Sequence, residues 1–295
     1  MTLPPNFADR LSDRILTIES RICVGCDPET RLFPPALREK PNVLAAIETF
    51  GFGLMDAVAP FAAVLKFQSA FYEKFGSAGF CALEKQVARA RDIGFLVILD
   101  CKRGDVGHTT QAYADAFLKP GAPLEADAVT VAPYLGSDTL APFAATAAAH
   151  GKGFFVLVKT SNPGAGDLQD LKLEGGGFVY ERTAALVAAA GAELVGVCGF
   201  SSAGAVVGAT YPELVANLRA LMPKQYFLLP GVGAQGGDAA LLGAAFDKRG
   251  LGGLVAASRS VAFAWRDNPD LTWEVAAAMA ARKLRDDVNA SLAAR

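Results

Sequence analysis

Short apolar runs recur along the chain, each followed by a polar cluster and then by a longer stretch with helical spacing. The runs cover residues 22–26, 63–65, 95–99, 128–131, 154–158, 194–198, 226–229 and 253–257. They are apolar at nearly every position rather than at alternate ones, as strands buried on both faces are. Between them, apolar residues fall at helical intervals over 42–58, 83–93, 109–118, 138–150, 178–190, 212–221 and 238–246. Pro212 suits the first turn of its helix, where a missing N–H costs nothing. A short amphipathic helix over 7–19 precedes the first strand, with Phe7, Leu11, Ile15 and Leu16 as its apolar stripe. A helical extension, clearest over 273–284, closes the chain.

Eight strand–helix units in 295 residues predict the α/β class and a (β/α)8 TIM barrel, as one domain over 1–295. An open doubly wound sheet is the competing arrangement of the same elements. No composition shift, linker or internal repeat divides the chain.

Composition narrows the setting. Hydrophobic residues make up 52% and the net charge is −2, which supports a sizeable core and argues against nucleic-acid or membrane-surface partners. The longest uncharged stretch, 194–212, holds four glycines and two serines. It reads as a buried strand followed by a loop rather than a membrane span. The first fifteen residues lack a basic-then-apolar leader pattern. Five cysteines, an odd number, fit a reducing cytoplasm. Cys23-x-x-Cys26 invites a redox or zinc reading, but their odd offset on a strand sends the sulfurs to opposite faces.

The polar residues that follow the apolar runs carry the candidate chemistry. Asp27 follows the first run, Lys66 the second, Asp100 and Lys102 the third, Ser161 the fifth. Gly231 and Gly233 follow the seventh and Arg259 the eighth. In a barrel these positions share the carboxyl-terminal rim, where active sites lie. Asp100 and Lys102 leave their strand on one side, and Asp105 follows on the turn. Two carboxylates then bracket one ammonium and favour its charged form, which suits a proton donor or a cationic anchor. At an isolated strand end the same residues are an ordinary surface ion pair. The glycine loop at 231–233 and Arg259 suit a phosphate, through backbone N–H groups and a two-pronged guanidinium. Gly231-x-Gly233-x-x-Gly236 also matches a dinucleotide fingerprint. It stands on the seventh strand, however, and residues 250–258 contain no acid to hold a ribose. Neither a Ser-His-Asp triad nor a zinc cluster has distinctive support, and no metal site is expected.

These residues together resemble the orotidine 5′-phosphate decarboxylase family. The family pattern Asp-x-Lys-x-x-Asp-(Ile/Val)-x-x-Thr is matched by Asp100, Lys102, Asp105, Val106 and Thr109. The first-strand Asp corresponds to Asp27, the second-strand Lys to Lys66, and the phosphate pair to 230–233 and Arg259. Lys66-Phe67-Gln68-x-Ala70-Phe71-Tyr72-Glu73 and Arg103-Gly104 resemble the longer bacterial subgroup. The landmarks run in order over 20–262. The resemblance implies a carbon–carbon lyase of de novo pyrimidine biosynthesis that turns orotidine 5′-phosphate into uridine 5′-phosphate and carbon dioxide without a cofactor. It implies Lys102, Asp100, Asp105 and Lys66 as catalytic residues. Substrate contacts fall to Asp27, Thr109, Ser161 (with Thr160 as competitor), Gly231, Gly233, Gln235 and Arg259. It also implies a homodimer in which Asp105 serves the partner's site. The family's long loop after the seventh strand is short here. Gln235 is the only nearby Gln, and the 161–177 segment is a second candidate cover. The alternatives are a magnesium-dependent sugar-phosphate decarboxylase or aldolase of the same barrel superfamily, and a catalytically silent nucleotide-binding barrel.

Overall fold

The computed structural model describes residues 4–208, 212–231 and 243–294. Eight parallel strands close into a barrel in sequence order. They are β1 (Ile22–Gly25), β2 (Val64–Gln68), β3 (Leu96–Arg103), β4 (Ala128–Val131), β5 (Gly153–Lys159), β6 (Ser201–Val207), β7 (Gln225–Pro230) and β8 (Gly253–Ala257). The expected TIM barrel is therefore present, and the open sheet is excluded by the pairing of β1 with β8.

Helix α1 (Phe7–Thr17) precedes the barrel, and α2 (Pro35–Arg38) and α3 (Val43–Val58) follow β1. Next come α4 (Ala70–Glu73), α5 (Gly76–Asp92), α6 (Gly107–Leu118), α7 (Ala141–His150), α8 (Gly166–Gln169) and α9 (Val179–Ala190). The chain closes with α10 (Pro212–Leu221), α11 (Arg259–Ala262) and α12 (Trp273–Ala293). The asparagine before α3 caps it, Asn42 accepting from the N–H groups of Leu44 and Ala45. The helix expected over 238–246 falls mostly outside the described residues, which show one 3-10 turn at 243–245. Among the described residues no helix is long and apolar enough to cross a membrane.

The core has two compartments, because each strand buries both faces. One lies between barrel and helices and includes Val24, Phe67, Val97 and Phe227. The other fills the barrel interior with Val64, Ile98, Phe155, Tyr226 and Leu254, and α1 closes it from below. Phe7, Leu11 and Ile15 of α1 are fully buried there, worth roughly 1.5–3 kcal/mol each. Leu16, expected on the same stripe, is about half exposed. Cys23 faces the interior and Cys26 the outer compartment, on opposite faces as their spacing requires. Burial pushes both thiols up to about 12, so neither is a ready thiolate.

Strand β6 departs from expectation. The apolar run 194–198 is not a strand; Leu194 ends a 3-10 turn and Val197 is fully exposed. Its backbone is instead fixed by Asp9, whose carboxylate accepts from the N–H groups of Val197 and Cys198. The strand is the small-residue run Ser201–Val207. The packing suits that run: a Cβ on Gly204 would lie 2.5 Å from the Phe155 ring, so the wall beside Phe155 needs a residue without one. The uncharged stretch is thus a loop followed by a buried strand, the reverse of the expected order.

Candidate active site

Each side chain of the site is carried on or just beyond a strand end. Strand β1 ends at Gly25, and Asp27 follows two residues on. The close approach of β1 to β8 requires that glycine, since a Cβ there would fall 1.8 Å from Ser258 Oγ. Asp27 Oδ1 accepts from Gln68 N at 3.2 Å and lies 3.7 Å from Lys66 Nζ. Lys66, on β2, reaches Asp100 Oδ2 at 3.1 Å. Asp100 Oδ1 in turn accepts from Lys102 Nζ at 2.6 Å and from Thr130 Oγ1 at 2.9 Å. The four groups form a line of alternating sign, Asp27–Lys66–Asp100–Lys102. Lys66 and Asp100 are buried, while the Lys102 side chain is 43% exposed and forms the accessible end.

The electrostatics follow from that geometry. Burial on its own would raise the Asp100 pKa, but the charges of Lys66 and Lys102, with the hydrogen bonds of Lys102 and Thr130, hold it at about 2. Burial on its own would lower that of Lys66; Asp27 and Asp100 more than offset it, and the net shift is upward. Both groups are therefore ionised at neutral pH.

A cavity of about 530 Å³ opens over this line. Asp27, Lys66, Asp100, Ser161, Gly231 and Arg259 all line it, so six of the expected site residues converge on one space. Gly231 follows β7 directly with φ +99°, a conformation that favours glycine. Arg259 opens α11 directly beyond β8 and is exposed. Ser161, rather than Thr160, faces the cavity. Thr160 is occupied by Gln169, which accepts from its N–H and donates to its hydroxyl, both at 2.9 Å. Lys159 Nζ pairs with Asp170 at 2.7 Å and fastens the same segment to the end of β5.

Lys102, Asp105 and Thr109 are not among the residues that line this cavity. Asp105 does not bracket Lys102 within one chain; its carboxylate accepts from Val106 N at 2.8 Å, because the chain turns away after β3. Thr109 sits half-buried in the first turn of α6, and it is the neighbouring Thr110 hydroxyl that bonds the Asp105 carbonyl. Gly233 and Gln235 lie outside the described residues.

Other parts of the site carry no role in the sequence reading. Thr130 is a buried threonine of β4 whose only sequence signal is a polar residue amid apolar ones, and threonine is an ordinary strand former. Arg103 ends β3, pairs with Glu73, donates to the Cys101 carbonyl at 2.8 Å and lies 5.9 Å from the Tyr113 ring centre. Its signal in the sequence is only its place directly after Lys102 in the motif that follows the third apolar run.

The fold and site define a (β/α)8-barrel protein with a buried Asp/Lys line at its carboxyl-terminal rim, facing a glycine turn and an arginine. The chain belongs to the orotidine 5′-phosphate decarboxylase / HUMPS family, whose model matches residues 20–267. It is 44% identical to the Deinococcus radiodurans orotidine 5′-phosphate decarboxylase over 98% of this chain and 99% of that one. The Rhodopirellula baltica orotidine 5′-phosphate decarboxylase is 43% identical over 88% of each chain. Among solved structures, the Leishmania donovani OMP decarboxylase superposes with a TM-score of 0.77 at 34% identity, over 98% of this chain and all of that one.

Proposed function

We propose that this chain decarboxylates orotidine 5′-phosphate to uridine 5′-phosphate, as a single-domain, metal-free enzyme with Lys102 as proton donor. The observation that carries this reading is the line Asp27–Lys66–Asp100–Lys102, whose first three members line the cavity and whose accessible end is an ammonium 2.6 Å from Asp100. The bond from C6 to the carboxylate breaks, carbon dioxide leaves, and the electron pair stays on C6. Lys102 stabilises that charge and passes a proton to C6, then regains one from solvent. Asp100 faces the departing carboxylate; two unit charges about 4 Å apart repel by roughly 4 kcal/mol at an effective dielectric of 20. Asp27 and Lys66 hold ribose hydroxyls and order the line. Gly231 and Arg259 grip the phosphate, whose binding energy is used for positioning. Ser161 meets the pyrimidine.

The active unit is a homodimer in the cytoplasm. Within the chain the Asp105 carboxylate accepts only from the adjacent Val106 N–H among the described residues, which leaves it available to complete a partner's site beside Thr109. Val106, Tyr134 and Leu135 expose apolar surface at the ends of β3 and β4, which suits such a contact. The cysteines of the chain are all free, in keeping with a reducing compartment.

Loss of orotidine 5′-phosphate absorbance with purified protein in EDTA tests the reaction, beside Lys102→Ala. Turnover by the wild type and its collapse in the variant support the lysine mechanism. Activity that requires added magnesium and a sugar phosphate points to the metal-dependent barrel enzymes instead. Binding of uridine 5′-phosphate with no turnover points to a silent binding protein. Equal turnover by both forms keeps the substrate but removes Lys102 as donor.

A further inference from the structure

The ladder between β3 and β4 is broken where the site lies. Leu99 is opposite Val129 and Arg103 is opposite Val131, so Asp100, Cys101 and Lys102 together face Thr130 alone. Such an irregularity leaves strand backbone groups without their usual partners. Lys102 absorbs it with φ +49°, a left-handed conformation that disfavours any residue with a side chain. Only one other non-glycine residue among those described, Glu19, has positive φ.

The Thr130 hydroxyl takes the place of the missing ladder partner. It accepts from Lys102 N at 3.0 Å and donates to Asp100 Oδ1 at 2.9 Å, and the residue is 1% exposed. A hydroxyl can do both at once, because it carries one donor and two acceptor sites. One buried atom therefore fixes the backbone of Lys102 and the carboxylate that Lys102 Nζ contacts. The ammonium is held at both ends of its own side chain, at the root by Thr130 and at the tip by Asp100, whose Oδ1 Thr130 also holds.

We propose that Thr130 is a positioning residue for the reaction: its hydroxyl sets the strained Lys102 backbone and the Asp100 carboxylate together, and so places the proton donor. This rests on the reading of Lys102 as donor. Val has the shape of Thr and neither hydrogen bond, whereas Ser keeps the hydroxyl and loses the methyl group.

Steady-state kinetics on orotidine 5′-phosphate, with direct measurement of uridine 5′-phosphate binding, compare wild type, Thr130→Val and Thr130→Ser. The expected result for Thr130→Val is a kcat lower by about 10²-fold, the scale of a misplacement of about 1 Å. KM and product affinity stay within about twofold, because the groups that grip the nucleotide are untouched, and Thr130→Ser recovers most of the rate. Wild-type turnover with an equally active Thr130→Val overturns the positioning role and leaves the reaction standing. So does a Thr130→Ser as slow as Thr130→Val, or a parallel loss of product affinity, which marks general distortion. A wild type without turnover overturns the reaction and this inference with it. If Thr130→Val lacks a cooperative melt, Thr130→Cys replaces it in the same comparison, with the same outcomes.

Discussion

Two networks of charge with buried centres lie at opposite ends of the barrel, and they differ in how their outermost charges are bonded. At the amino-terminal end Arg10, Asp127, Lys152, Glu125 and Arg91 interlock. Asp127 pairs with Arg10 at 2.7 Å, Glu125 with Lys152 at 2.7 Å and with Arg91 at 2.8 Å. The remaining carboxylate oxygens accept backbone N–H groups, Asp127 Oδ2 from Val97 and Glu125 Oε2 from Gly121. Arg10 also donates to the Gly151 carbonyl. Every such bond ties two pieces of chain together. At the other rim, the line through Lys66 and Asp100 is as deeply buried, yet it ends in a half-exposed ammonium on strained backbone that, among the described residues, bonds Asp100 alone, where Arg10 and Arg91 each bond a carboxylate and a carbonyl. Burial and ion pairing are common to both. What separates a clamp from a reaction site is whether the last charge is used up within the chain.

The sharpest way to break that contrast is to remove one lysine from each end. Lys102→Ala is expected to lower kcat by about 10⁴-fold or more, the scale of losing a proton donor and a charge stabiliser together. Its urea-unfolding free energy should fall only modestly, because Asp100 keeps Lys66 and Thr130 as partners. Lys152→Met should do the opposite. It leaves Glu125 and Asp127 buried with fewer partners and costs about 3 kcal/mol of stability, while kcat per folded molecule is unchanged. A Lys152→Met that is stable but slow, or a Lys102→Ala that fails to fold, destroys the distinction.

Acid sharpens it further. Burial would raise the Glu125 pKa, but the Lys152 and Gly121 hydrogen bonds and the charges of Lys152 and Arg91 hold it at about 2. A carboxylate depressed in the folded state adds stability that is complete above its ordinary range, about 4.3, and is lost as pH falls towards 2. Urea midpoints measured from pH 7 down to pH 3 should therefore decline below about pH 4.5. In Glu125→Gln the decline should be shallower, by at most about 1.4 kcal/mol per pH unit. Asp100, also held at about 2, keeps part of the slope. The smallest effect belongs to Arg31, whose side chain is 85% exposed and pairs with Glu29 at the cavity mouth. Arg31→Ala should leave the thermal melting midpoint indistinguishable from wild type, as loss of an exposed pair does.

Most of the barrel was legible because its strands are apolar on both faces and their polar ends stand out. Asp27, Lys66, Asp100, Ser161, Gly231 and Arg259 follow such runs, and the fold needs only to close for them to meet. The sixth strand was not legible. Leu194 to Cys198 has the stronger strand composition, but the strand is the small-residue run that follows, whose Gly204 lies where a Cβ would meet Phe155. The continuation of β3 through Lys102 was hidden too, since charged residues rarely extend a buried strand. Thr130 is not legible for a related reason: its hydroxyl serves a register break in the neighbouring strand, which is a property of the pair and not of either sequence.

The helix that closes the barrel floor has a consequence for synthesis. Ser12 of α1 bonds Tyr226 of β7 across 214 residues, and Asn6 is bonded to Leu194 and Ser202. At about 5–20 residues per second, the ribosome needs roughly 10–40 s to deliver β7 after α1 has been made. For that interval the first helix has no floor to close, and Phe7, Leu11 and Ile15 stand exposed on the nascent chain. A segment translated before the whole barrel is among the last to find its place.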